Sequence, residues 1–185
     1  LIFDEIRSGF RVSLGGAQEY FGVTPDLATF GKAMANGYAI AALVGKTEYM
    51  NIMADKVFLS STFFPNSDSI AAALKTIEIL KRDKVLDVVH AKGMRFAADV
   101  EKVLEESDIP ARFSGAPWMP FITFPKDETG LYKKLRNEFY TQLIRRRVFL
   151  QPYHHGYICY RHTDEDLSYT VGAIKESLDA LKTML

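Results

Sequence analysis

The chain opens on an apolar run, Leu1-Ile2-Phe3, that turns acidic at Asp4-Glu5. A continuous apolar start closed by charge predicts a buried strand over residues 1–7. Gly9, the Gly15-Gly16 pair and the Gly22-Val23-Thr24-Pro25-Asp26 turn punctuate the next twenty residues as loop. Leu27 to Phe30 predicts a short strand, and the small apolar run Ala39 to Gly45 a strand or a tightly packed turn. Ser60 to Asp68 reads as loop. The period then changes to that of a helix. Ile70, Leu74, Ile77 and Leu80 mark one helix, and Leu86, Val89, Met94, Ala97, Val100 and Leu104 a longer one from about Val85 to Glu106. Beyond Pro110 the pattern predicts a strand over Trp118–Phe124, a helix over Leu131–Arg146 and one or two strands within Val148–Tyr160. Thr163 with Asp166 three residues on is a capping-box start to a last helix that carries Leu167, Val171, Ile174, Leu178 and Leu181.

These elements predict an α/β chain in two parts. Residues 1–90 supply strands and turns of a larger sheet, and residues 91–185 a small C-terminal α/β domain. An apolar strand entered without a leading Met implies that a preceding stretch lies outside this sequence.

Composition narrows the function classes. Lys plus Arg equals Asp plus Glu, so the formal net charge is zero, which argues against a nucleic acid or an anionic membrane as the main partner. Arg145-Arg146-Arg147 reads as the solvated end of a helix. Cys159 is the one cysteine. It excludes an intrachain disulfide, fits a cytoplasmic protein, and reads as a buried structural thiol. No apolar run approaches the roughly 20 residues needed to span a bilayer.

Candidate chemistry gathers at two strand ends. Asp4 follows Leu1-Ile2-Phe3, and Lys32 follows Ala28-Thr29-Phe30-Gly31. Ligands in open α/β sheets collect at the carboxyl ends of strands. A carboxylate and an amine at one such edge suit a cofactor that forms an imine with lysine and needs its ring nitrogen held protonated. Glu5 points away from Asp4 by the period of two and is read as structural. His154 and His155 are adjacent, so a strand turns them to opposite faces and no metal site is expected from them. One of them faces a substrate entrance, or both lie on the surface.

The words around the pair are specific. Asp4-Glu5-Ile6-Arg7-Ser8-Gly9-Phe10-Arg11, Tyr20-Phe21-Gly22-Val23-Thr24-Pro25-Asp26-Leu27 and Gly31-Lys32-Ala33 occur in order. With His162-Thr163-Asp164-Glu165-Asp166-Leu167 they resemble the class III pyridoxal-phosphate (PLP) aminotransferase family, on the glutamate-1-semialdehyde aminomutase-like branch, as its C-terminal portion. The resemblance implies part of the large sheet domain of a fold-type-I PLP enzyme plus the small C-terminal domain. It implies Lys32 as the Schiff-base lysine, Asp4 as the partner of the pyridine nitrogen and Ile6 packed on the ring. Ser61-Thr62-Phe63-Phe64-Pro65-Asn66-Ser67 is similar to the family's G-T-x-x-[GA]-N-P. That implies a homodimer in which Thr62 reaches the neighbouring subunit's cofactor phosphate, with Ser61 as a backbone donor. Phe64, Pro65 and Ser67 depart from the pattern and predict a reshaped substrate pocket. The loop Pro152-Tyr153-His154-His155-Gly156-Tyr157 is shorter than the aminomutase's and lacks its acidic residue, which argues against the mutase reaction.

The reaction the resemblance implies is transfer of an amino group between an amine or amino acid and a keto acid. The alternatives are an intramolecular aminomutase and, in a different class, a non-catalytic fragment or partner-binding domain. The family's phosphate loop and ring-stacking aromatic are expected upstream of Leu1, so these 185 residues alone are expected to be inactive.

Overall fold

A computed structural model describes residues 1–60, 62, 64 and 66–185, with only the backbone of residues 54 and 55. It divides into two compact units, Leu1–Leu86 and Asp87–Leu185.

The first unit is built on three strands. β1 (Ile2–Asp4) pairs in parallel with β2 (Leu27–Phe30), and β2 pairs antiparallel with β3 (Ala42–Gly45). A short helix α1 (Ala17–Phe21) lies in the β1–β2 crossover, α2 (Thr47–Lys56) follows β3, and α3 (Ser67–Arg82) closes the unit. Ala28 and Phe30 point from β2 into a core with Met34, Ala35 and Ala73, walled by Phe3, Phe10, Ile40 and Ile77. The Phe10 ring meets Phe30 edge-on at 5.7 Å.

Two expectations change here. β1 covers only Ile2–Asp4, shorter than the residues 1–7 expected, and is the outer of the three strands within these 185 residues. On α3 the side turned to the core carries Ser69 and Ala73, while Ile70 and Leu74 are exposed. The small side chains let the helix approach the 3-10 turn after β2 (Lys32–Met34), which it contacts. The Asn66 side chain fixes where α3 begins by accepting the N–H groups of Asp68 at 3.0 Å and Ser69 at 3.3 Å.

In the second unit, α4 (Val85–Glu105, whose first two residues belong to the first unit) precedes the antiparallel hairpin of β4 (Arg112–Ser114) and β5 (Phe121–Thr123). Then come α5 (Leu131–Arg145) and α6 (Asp164–Leu181). Phe139, Leu143, Ile174, Leu178 and Leu181 are buried where α5 packs on α6. The buried Tyr140 hydroxyl donates to the Ile122 carbonyl at 2.9 Å, tying α5 to β5.

The strands expected within Val148–Tyr160 do not form. The Gly156 and Ile158 N–H groups donate to the carbonyls of Pro120 (2.8 Å) and Trp118 (3.0 Å). Pro120 has no N–H to return, so a one-sided seam replaces a ladder. Pro120 also delays β5 until Phe121. Along this seam Ile158 is buried and Cys159 faces outward, exposed, contrary to the buried thiol expected.

α6 starts as the sequence predicts. The Thr163 hydroxyl accepts the Asp166 N–H at 3.1 Å, and the Asp166 carboxylate accepts the Thr163 N–H at 2.8 Å. Replacing Thr163 with alanine is expected to cost about 1 kcal/mol, read as a lower urea midpoint with unchanged slope.

Candidate active site

Asp4 ends β1 and Lys32 follows β2, so the strand register decides whether they share an edge. Asp4 stands opposite Thr29, and the Glu5 N–H extends the pairing by donating to the Thr29 carbonyl at 2.9 Å. Neighbouring strands lie about 4.8 Å apart. Asp4 and Lys32 therefore leave the carboxyl ends of adjacent parallel strands.

The turn into Lys32 is tight. A Cβ on Gly31 would meet Ile6 Cδ1 at 3.2 Å and the Ile40 carbonyl oxygen at 3.4 Å. Glycine thus lets Ile6 pack directly against the backbone that precedes Lys32. Lys32 itself sits at φ 44°, in the left-handed region, which costs a non-glycine residue on the order of 1–3 kcal/mol. That turn carries the chain from β2 into its 3-10 helix and leaves the Lys32 side chain exposed. Lys32, Arg11, Asn36, Tyr38 and Ile40 line one open cleft of about 540 Å³.

Within these 185 residues Asp4 is exposed. Its Oδ1 accepts the Ile6 N–H at 3.0 Å and the Thr29 hydroxyl at 3.4 Å. Its Oδ2 has no partner among the described residues.

Glu5 turns the other way and is buried, at 1% exposure. Its carboxylate accepts the Ala17 and Gln18 N–H groups, each at 2.9 Å, and the Ser8 hydroxyl. It thereby caps α1 from just beyond the end of β1, where a negative charge meets the helix N-terminus favourably. The loop it holds delivers Arg11 to the Lys32 cleft. Gly16 has φ 79°, and a Cβ there would fall 2.5 Å from Glu5 Oε2. Replacing Gly16 with alanine is expected to cost roughly 2–3 kcal/mol in chemical denaturation. Unchanged stability would mean that the loop does not depend on this carboxylate.

Asp4, Ile6 and Lys32 are thus brought to one sheet edge. Thr62 is not joined to them: it is an exposed turn residue, and no hydrogen bond links it to Asp4 or Lys32 among the described residues. Ser61 and Pro65 lie outside the described residues. In the second unit His154 and His155 both line a separate hollow of about 780 Å³. Their rings are 6.2 Å apart at 79°. No group of metal-binding side chains occurs among the described residues, and none of the described helices is long and apolar enough to cross a membrane.

Sequence reading passed over Thr29, Arg11 and the capping role of Glu5. Glu5 alone left a signal, its alternation with Asp4; the other two emerge only from register and loop closure.

A parallel strand pair ending in a carboxylate and a lysine, followed by a small α/β unit, defines the C-terminal part of a fold-type-I transaminase scaffold. The family model described as Aminotransferase class-III matches residues 1–178, and the chain belongs to that family. A 3-aminobutyryl-CoA aminotransferase of Cloacimonas acidaminovorans (strain Evry) is 78% identical over 100% of this chain and 45% of its own length. A glutamate-1-semialdehyde 2,1-aminomutase of Methanosphaera stadtmanae is 35% identical over 98% of this chain and 45% of its own. Among solved structures, the FumI protein of Sphingopyxis sp. MTA144, in a PLP internal aldimine form, superposes with a TM-score of 0.90 at 27% identity. That match covers 99% of this chain and 43% of that one. An omega-transaminase from Sphaerobacter thermophilus superposes at 0.87 with 25% identity, over 98% and 44%. The chain spans about 45% of the length of these curated relatives.

Proposed function

We propose that the intact protein is a PLP-dependent aminotransferase in which Lys32 carries the cofactor and Asp4 partners its ring nitrogen. The observation that carries this reading is the placement of both residues at one carboxyl edge of β1 and β2. The residues suit that cofactor: Asp4 Oδ2 is open to accept an N–H, Ile6 offers an apolar face beside Gly31, and the Lys32 side chain is free in an open cleft.

When bound, PLP supplies an electron-withdrawing ring that stabilises negative charge on the substrate carbon. Asp4 keeps the ring nitrogen protonated by accepting its N–H, which strengthens that withdrawal. Ile6 excludes water from one face. The Lys32 amine would serve as the general base and then the general acid that moves a proton at the substrate carbon. Donor carbon ends as C=O and acceptor carbon as C–NH₂, so the exchange balances without an external oxidant.

The identity of 78% to an enzyme named for 3-aminobutyryl-CoA supports a β-amino acyl-CoA thioester as donor; the family reaction supplies a keto acid as acceptor. It favours intermolecular transfer over the aminomutase reaction, whose relatives are less similar. In a homodimer Thr62 reaches the cofactor phosphate of the second subunit, a reading that its exposure on a turn supports. A cytoplasmic location accords with the exposed free thiol of Cys159.

The test is to incubate the purified intact protein with 3-aminobutyryl-CoA and a 2-oxo acid and follow 3-oxobutyryl-CoA. Steady formation that requires the 2-oxo acid is expected. Steady conversion of glutamate 1-semialdehyde to 5-aminolevulinate without any acceptor, and no thioester turnover, would establish the mutase reaction instead.

A further inference from the structure

Asp4 has two carboxylate oxygens, and they are not equivalent. Oδ1 accepts the Ile6 N–H at 3.0 Å and the Thr29 hydroxyl at 3.4 Å. Oδ2 is left without a partner among the described residues. The Ile6 bond is local, made by the backbone two residues on, and any Asp or Asn at this position can form it. The Thr29 bond is different in kind. It comes from the neighbouring strand, from the residue directly opposite Asp4 in the parallel register. Residues opposite one another on neighbouring strands share a face of the sheet, and Thr29 points away from the core that Ala28 and Phe30 enter. Its hydroxyl is therefore presented to the Asp4 carboxylate by the sheet itself.

We infer that Thr29 is a positioning residue for the reaction, which fixes the Asp4 carboxylate with Oδ1 turned to the protein and Oδ2 turned to the cofactor ring nitrogen. This rests on the reading of Asp4 as the ring-nitrogen partner. A carboxylate held by one local N–H still rotates about Cβ–Cγ. A second donor on the same oxygen, from another strand, stops that rotation and leaves the opposite oxygen free to accept. Threonine also suits the position locally, since a β-branched residue fits a strand and its hydroxyl is confined to few rotamers.

Removing the hydroxyl leaves the ring nitrogen less firmly paired and less often protonated. Less positive charge on the ring then moves the pH midpoint of the visible absorbance change upward. The test uses the intact protein loaded with PLP and compares Thr29→Val, Thr29→Ala and Thr29→Ser with the parent protein. Two quantities are read: the pH midpoint of the visible absorbance change, and kcat apart from KM. Thr29→Val and Thr29→Ala are expected to move the midpoint upward and to lower kcat by roughly tenfold, with KM changed far less. Thr29→Ser, which keeps the hydroxyl, is expected to restore both. The alanine variant keeps the test open should the valine variant not fold.

Asp4→Asn in the same series separates the two levels. If Asp4→Asn moves the midpoint while Thr29→Val and Thr29→Ala do not, Asp4 acts without Thr29 and the inference is overturned. Failure of Thr29→Ser to restore the midpoint overturns it as well, because the hydroxyl is then not what matters. If Asp4→Asn leaves the bound-cofactor spectrum and its pH midpoint unchanged, it is the assignment of Asp4 that fails, and the Thr29 role fails with it.

Discussion

Replacing Lys32 with alanine is expected to abolish the borohydride-fixable yellow colour of the intact protein and to lower transamination by about 10⁴-fold. Under the proposed role of Lys32, two functions leave together. The amine that holds the cofactor covalently is gone, and so is the base that moves the proton between carbons. A general base of this kind contributes about 10²–10⁴-fold by itself. No other lysine lines the Lys32 cleft among the described residues, so none takes over. The backbone adds a structural point. Alanine at φ 44° carries the same left-handed cost as lysine, so the variant is expected to keep parent stability. Loss of activity with an unchanged denaturation midpoint is then a statement about chemistry. A colourless Lys32→Ala protein with parent turnover would sink the assignment.

Asp4→Asn is expected to lower kcat by about 100-fold while the covalent link to Lys32 survives. Asparagine keeps the local bond to the Ile6 N–H, so the strand end holds its shape. It cannot hold a protonated ring nitrogen as a carboxylate does. The bound cofactor should therefore stay fixable by borohydride, with its visible pH midpoint moved upward. That pattern would separate the two ends of the site, assigning attachment to position 32 and electron withdrawal by the attached group to position 4. Parent kcat in Asp4→Asn would leave Asp4 as a surface carboxylate held in a local turn.

The parts of this protein legible from sequence are those whose cause is local. β2 is bounded by Asp26 and Gly31 and alternates toward its core at Ala28 and Phe30. α4, α5 and α6 carry apolar residues at helical spacing, and α6 announces itself through the Thr163–Asp166 box. What stayed hidden is non-local. α1 is five residues long and its cap is the Glu5 carboxylate from another element. α2 has no side-chain cap, and Tyr49 and Ile52 on it are exposed, so no apolar stripe marks it. The strands read into 148–160 had the right alternation around Ile158 but met a proline partner that could not complete the ladder. The same division holds at the site. Asp4 and Lys32 stand out as residue types at strand ends within a specific motif. Thr29 gains meaning only once the parallel register sets it against Asp4.

The most direct test is to reduce the intact, PLP-loaded protein with borohydride, digest it and locate the pyridoxyl group by mass spectrometry. The expected result is a single modified peptide with the added mass on Lys32. A stable adduct on a different lysine, or none on a protein that turns over substrate, would contradict the account.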